Sequence, residues 1–189
     1  MAFSALALFI GVIYMQGYVT LPLDMQAHGL TPADFGIAIA INGILIVALS
    51  IQVSHAASNW PRFRAMAVAA LFLGTGFGLN MFARNLLLFY FLTVAVWTMG
   101  EITASAVAPA LIADLSPVEL RGLYQGIFGS AWGLSLFIGP VLGGWVFDYL
   151  GPTALWLGCF ILGCVLALCY LWMGNLARRR TENPEPLQT

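Results

Sequence analysis

Residues 86–113 read LLLFYFLTVAVWTMGEITASAVAPALIA, bounded by Arg84-Asn85 before and Asp114 after, with Glu101 as the one charged residue inside. A bilayer core about 30 Å thick takes about 20 apolar residues as a helix, so this run is long enough to cross one. The pattern recurs on both sides. Charged or turn-rich breaks leave six such segments, expected at approximately Ala2 to Leu23, Ala33 to Ser54, Arg64 to Ala83, Leu86 to Ala113, Gly122 to Phe147 and Thr153 to Leu176. The fold class predicted is an all-α polytopic membrane protein of six transmembrane helices. Residues 1–177 form the membrane domain, and residues 178–189, with two prolines and no apolar period, read as a disordered cytoplasmic tail.

Composition agrees. The 189 residues are 61% hydrophobic and 8% charged, against about 25% charged in soluble domains. Seven arginines, no lysine and a net charge of −1 give no concentrated basic face, which sets nucleic-acid binding aside. Cys159, Cys164 and Cys169 recur every five residues, which turns them to different helix faces, and they read as small apolar filler. No metal and no cofactor is expected. The lipid bilayer is the expected surrounding.

The first segment lacks the basic start and small-residue cleavage pattern of a secretory signal and is expected to stay in the mature protein. The links Asp24 to Pro32, His55 to Phe63 and Arg84-Asn85 are short enough to join antiparallel neighbours. Asp114 to Arg121 contains Ser116-Pro117, which reads as a helix stop and as an N-cap for the fifth segment. With the amino end inside, Arg62, Arg64, Arg121, Arg178, Arg179 and Arg180 fall on the cytoplasmic side and Arg84 alone outside. That asymmetry predicts cytoplasmic amino and carboxy ends.

Glu101 lies roughly 22 Å along its segment, near mid-membrane, and is the only carboxylate expected in a segment interior. Exposure to lipid there costs about 3 kcal/mol or more, so it is expected to face protein or a wet cavity, protonated or hydrogen-bonded. Thr98, Glu101 and Ser105 share one helix face, with Trp97 and Ala108 beside them, and that stripe either lines a pathway or serves packing. Tyr14 and Gln16 in the first segment are cavity candidates, whereas Tyr18 and Thr20 read equally as interfacial. Asn42 and Asn80 read as interhelical hydrogen-bonding groups. His55 and His28 read as solvated ends or loops.

Gly122, Gly126, Gly129 and Gly133, followed by Gly139-Pro140 and Gly143-Gly144, form a small-residue seam along the fifth segment. Small residues let helix backbones approach closely in lipid, so the seam is expected to pack. Pro109 and Pro140 each remove a backbone hydrogen bond and are candidate hinges. An intramembrane serine protease also has six helices, but no segment interior holds a histidine and Ser130 lacks a following glycine. No catalytic residue is expected.

Trp97-Thr98-Met99-Gly100-Glu101, Ala113-Asp114-Leu115-Ser116-Pro117, Leu120-Arg121-Gly122-Leu123-Tyr124-Gln125-Gly126 and Ile138-Gly139-Pro140-Val141-Leu142-Gly143-Gly144 together make a recognisable run. It resembles the carboxy-terminal half of major facilitator superfamily transporters, particularly drug:proton antiporter-like bacterial members. Leu21-Pro22-Leu23 with Gly29-Leu30-Thr31, and Ile41-Asn42-Gly43, extend the likeness over nearly the whole chain. The loop from His55 to Arg64 departs from the family's signature loop, keeping only its basic character.

The resemblance implies twelve helices in two six-helix halves around a cavity that opens alternately to either side, this chain being one half. It implies secondary transport of a small organic solute or drug, proton-coupled, in the bacterial inner membrane. The partner implied is an amino-terminal six-helix half or a second copy. The substrate pathway is expected at Glu101, Tyr14, Gln16, Thr98 and Ser105. The alternative is a non-transporting membrane fragment or helical interaction partner.

Overall fold

The computed structural model describes residues 2–182. All of its regular structure is helical: α1 (Ala2–Met15), α2 (Thr20–Ala27), α3 (Pro32–Ser58), α4 (Arg62–Gly78), α5 (Leu87–Leu115), α6 (Arg121–Leu150) and α7 (Pro152–Glu182), with 3-10 turns at Leu79–Phe82 and Val118–Leu120. In lipid each backbone polar group must be satisfied within the protein, which a helix does along its own length. Six spans are long and apolar enough to cross a membrane, the first being α1 and α2 together from Phe3 to Ala27.

Segment number and order agree with the sequence, and several boundaries move. The first span continues past Leu23, so Asp24 lies in α2 and is buried rather than in an outer link. Between α1 and α2 the hydrogen-bond ladder changes register. Gln16, Gly17 and Tyr18 donate three residues back, and the carbonyl of Gln16 then receives the N–H groups of both Thr20 and Leu21. Gly29, at φ 80°, ends α2 in the left-handed region that glycine enters without a Cβ clash. Thr31 starts α3 with a reciprocal capping box to Asp34, and Pro32 fills the first helical position.

Ser116 is a correction. It ends α5 instead of capping the next helix: its hydroxyl donates to the Ile112 carbonyl at 2.5 Å, and α6 begins at Arg121 without a side-chain cap. The last helix is another. It runs past Leu176 to Glu182, so the stretch expected as a tail begins helical; residues 183–189 lie outside the described residues.

α4 is the centre of the bundle, packed on α5 at one side and α7 at the other. Glycines make this possible. A Cβ on Gly74 would stand 2.8 Å from the Gly163 Cα of α7, one on Gly76 2.5 Å from the Trp97 backbone nitrogen, and one on Gly100 2.6 Å from the Ala69 carbonyl oxygen. Phe77 fills the core between two indoles, stacked on Trp97 at 5.3 Å and on Trp156 at 6.3 Å. α3 packs against α5, and α1 against α6. α3 and α6 form the edges and present apolar side chains outward, among them Val47 and Ile51 on α3 and Phe137 on α6.

The glycine seam of α6 is therefore not one continuous packing surface. Gly139 meets Met15 at the end of α1 and Gly143 meets Gln16 just after it, whereas positions 122, 126, 129, 133 and 144 have no neighbour within 4 Å of where a Cβ would sit. The physical reason is helix rotation: Phe128, Trp132, Ser135, Gly139 and Gly143 share the face turned to α1, whereas Gly122, Gly126, Gly129 and Gly133 lie on the exposed face.

Candidate functional site

Glu101 occupies the middle of α5 and is half-buried. Tyr14 from α1 donates its hydroxyl to Oε1 at 2.6 Å, and Asn42 from α3 donates its amide to Oε2 at 2.7 Å. Each carboxyl oxygen thus receives a bond from a different helix. Such short bonds to a carboxylate are stronger than neutral ones and fix its orientation. Each carboxyl oxygen keeps a second lone pair beside the one its donor occupies, so Glu101 can take a proton while Tyr14 and Asn42 stay bonded.

The amide of Asn42 also reaches the Thr98 hydroxyl at 3.0 Å, while that hydroxyl donates to the Val94 carbonyl of its own helix. Thr98 thereby holds Asn42 against α5. Tyr14 is fixed on its other side by Tyr18, oxygen to oxygen 3.0 Å, and its ring lies edge-on to Trp97 and Trp132, each 5.9 Å away.

Beside this network lies a cavity of about 380 Å³ whose walls come from α1, α4, α5 and α6. Tyr14, Glu101 and Ser105 are its polar members; Ile10, Leu73, Ala108, Phe128 and Trp132 are among the apolar ones. Pro109 is also on this wall, inside a helix that continues through it. A largely apolar chamber with one convergent polar cluster is the usual form of a small-molecule site.

Four of the five pathway residues read from the sequence come together here. Ser105 does so as wall only, because its hydroxyl donates to the Ile102 carbonyl and makes no bond to Glu101. Gln16 is the correction. Two residues after Tyr14, it projects from another side of the helix, is buried, and donates to the carbonyls of Val12 at 2.8 Å and Gly139 at 3.0 Å. It ties α1 to α6 rather than facing Glu101.

Asn42 is the residue the sequence reading underweighted. An asparagine in an apolar span needs a partner, and the mid-membrane carboxylate was the group with most to gain. Asn80 is interhelical as expected, its carbonyl accepting the Thr93 hydroxyl at 2.9 Å. Near the other end of α5, Arg62 pairs with Asp114 at 3.0 Å. Among the described residues no cluster of three or more metal-ligating side chains occurs.

Similarity to known proteins agrees with this architecture. The chain is 27% identical over 151 residues to an uncharacterised MFS-type transporter, YttB, of Bacillus subtilis (strain 168), covering 79% of this chain and 38% of that protein. It is 26% identical over 156 residues to a Na(+), Li(+), K(+)/H(+) antiporter of Planococcus maritimus, covering 78% and 34%. It is 32% identical over 77 residues to the multidrug transporter protein MdtP of Bacillus subtilis (strain 168), covering 39% and 14%. The chain thus spans well under half the length of these relatives. Six spans are apolar enough to cross a membrane, the profile of the Major Facilitator Superfamily matches residues 1–189, and the chain belongs to that superfamily.

Proposed function

We propose that this chain forms one six-helix half of a proton-coupled secondary transporter for a small organic solute or drug. It works when a second six-helix half, an amino-terminal one or a second copy, completes the cavity. The observation that carries this reading is the Glu101 carboxylate, held on a largely apolar chamber by donors from two other helices. A mid-membrane carboxyl is costly and is placed where protons or cationic groups are handled. The relatives named as antiporter and multidrug transporter support the coupling and the solute class respectively. The site lies in the bacterial inner membrane, with both chain ends cytoplasmic. Pro109 and Pro140 are the points at which α5 and α6 lack a backbone bond and bend as access alternates.

The test is Glu101→Gln in the assembled transporter reconstituted in vesicles. The amide keeps the size of the side chain and cannot ionise. Transport driven by an imposed pH gradient falls to the level of protein-free vesicles, while thermal unfolding in detergent stays near that of the parent. Wild-type gradient-driven transport by the folded variant overturns the reading.

A further inference from the structure

Asp24 is a second carboxylate inside the protein, and nothing in the Glu101 mechanism uses it. Its side chain is 1% exposed. Oδ2 accepts the Tyr90 hydroxyl of α5 at 2.8 Å, and Oδ1 has no hydrogen-bond partner. The indole N–H of Trp156 on α7 is directed at the same carboxyl. His28, one turn on at the C-cap of α2, completes the cluster, and its side chain is 32% exposed. Among the described residues, the ionisable groups found at Asp24 are His28, just past the end of α2, and Tyr90 from α5.

Nδ1 of His28 is 2.8 Å from the Asp24 backbone carbonyl, which only accepts, so Nδ1 carries a hydrogen, and in the neutral ring Nε2 has the lone pair. Nδ1 is also 3.1 Å from the Tyr90 oxygen, whose own hydrogen points to Asp24. A continuous path runs from a partly exposed imidazole, through one hydroxyl, to a buried carboxylate.

We propose that Asp24, Tyr90 and His28 form a second proton-binding site, at the end of the bundle that the arginine count places outside, loaded through His28. A proton from water binds Nε2. The Nδ1–H bond then breaks as its proton passes to the Tyr90 oxygen, and the former Tyr90 O–H proton passes to Asp24 Oδ2. His28 is left neutral with hydrogen on Nε2, Tyr90 is unchanged, and the carboxylate has become a carboxylic acid. The site does not depend on Glu101 exchanging protons.

The test is infrared titration of the full chain in lipid nanodiscs, following the C=O stretch of a protonated carboxyl in a dry setting. Such a band is expected to titrate in the wild type and to be missing in Asp24→Asn. Tyr90→Phe removes the hydrogen bond to the carboxylate, and the band is expected to titrate at a proton concentration differing by about tenfold. His28→Gln is expected to slow the appearance of the band after a pH jump by at least about tenfold. The proposal is overturned by an Asp24-dependent band that does not titrate while the protein stays folded. It is equally overturned if Tyr90→Phe and His28→Gln both behave as wild type; these two variants decide the question should Asp24→Asn fail to fold.

Discussion

Tyr14 and Asn42 give their hydrogens to opposite oxygens of one carboxyl, and this sets how each responds to substitution. Tyr14→Phe keeps the ring against Trp97 and Trp132 and removes only the hydroxyl. Losing a hydrogen bond to a charged group costs about 1.5–3 kcal/mol, so gradient-driven transport by the assembled protein is expected to fall by about tenfold or more, with thermal stability little changed. Vesicle uptake measured beside an unfolding curve checks this, and a proportionate loss of both would make Tyr14 a structural residue only. Glu101 was legible in the sequence because a charge in an apolar run violates the solvent it sits in. Gln16 and Asp24 were misplaced for a related reason. Polarity shows that a side chain must be satisfied, but the partner is fixed by helix rotation and by where the first span ends, neither of which is set by polarity.

At the scale of the helix, the count of spans was readable from length and hydropathy, and the packing faces were not. A membrane helix is apolar on its lipid side and its protein side alike, so no periodic contrast marks which face is buried. The glycines of α6 line up as an evident seam, yet the close contacts lie mostly where α4 meets α5 and α7. Gly74→Leu is therefore expected to lower the thermal midpoint of the chain in detergent markedly, because its first side-chain carbon would press on the Gly163 backbone. Gly129→Leu, with no neighbour within 4 Å of a Cβ, is expected to leave the midpoint of the chain alone near wild type. The reverse order would place the main helix crossing elsewhere. Should a second half dock on α6, Gly129→Leu would weaken that association without unfolding the chain.

For the whole molecule, the arginine asymmetry gives a direct topology test. In a background with Cys159, Cys164 and Cys169 replaced by alanine, a cysteine at position 29 is expected to react with an impermeant reagent in sealed cells, and one at position 59 only after lysis. External labelling at 59 reverses the assignment. The sequence separation of the polar contacts has a bearing on biosynthesis. Tyr14, Asp24 and Asn42 all find their partners on α5, at Glu101 and Tyr90, so each enters the bilayer while its partner is still unmade. Until the ribosome has delivered residues 87–115, three polar side chains wait in lipid without these partners, and α5 is the piece that supplies all of them at once. A nascent chain released after residue 85 is expected to be cleared by membrane quality control several times faster than one released after residue 117, as pulse-chase decay would report. Assembly would then proceed by a late locking step rather than by successive hairpins.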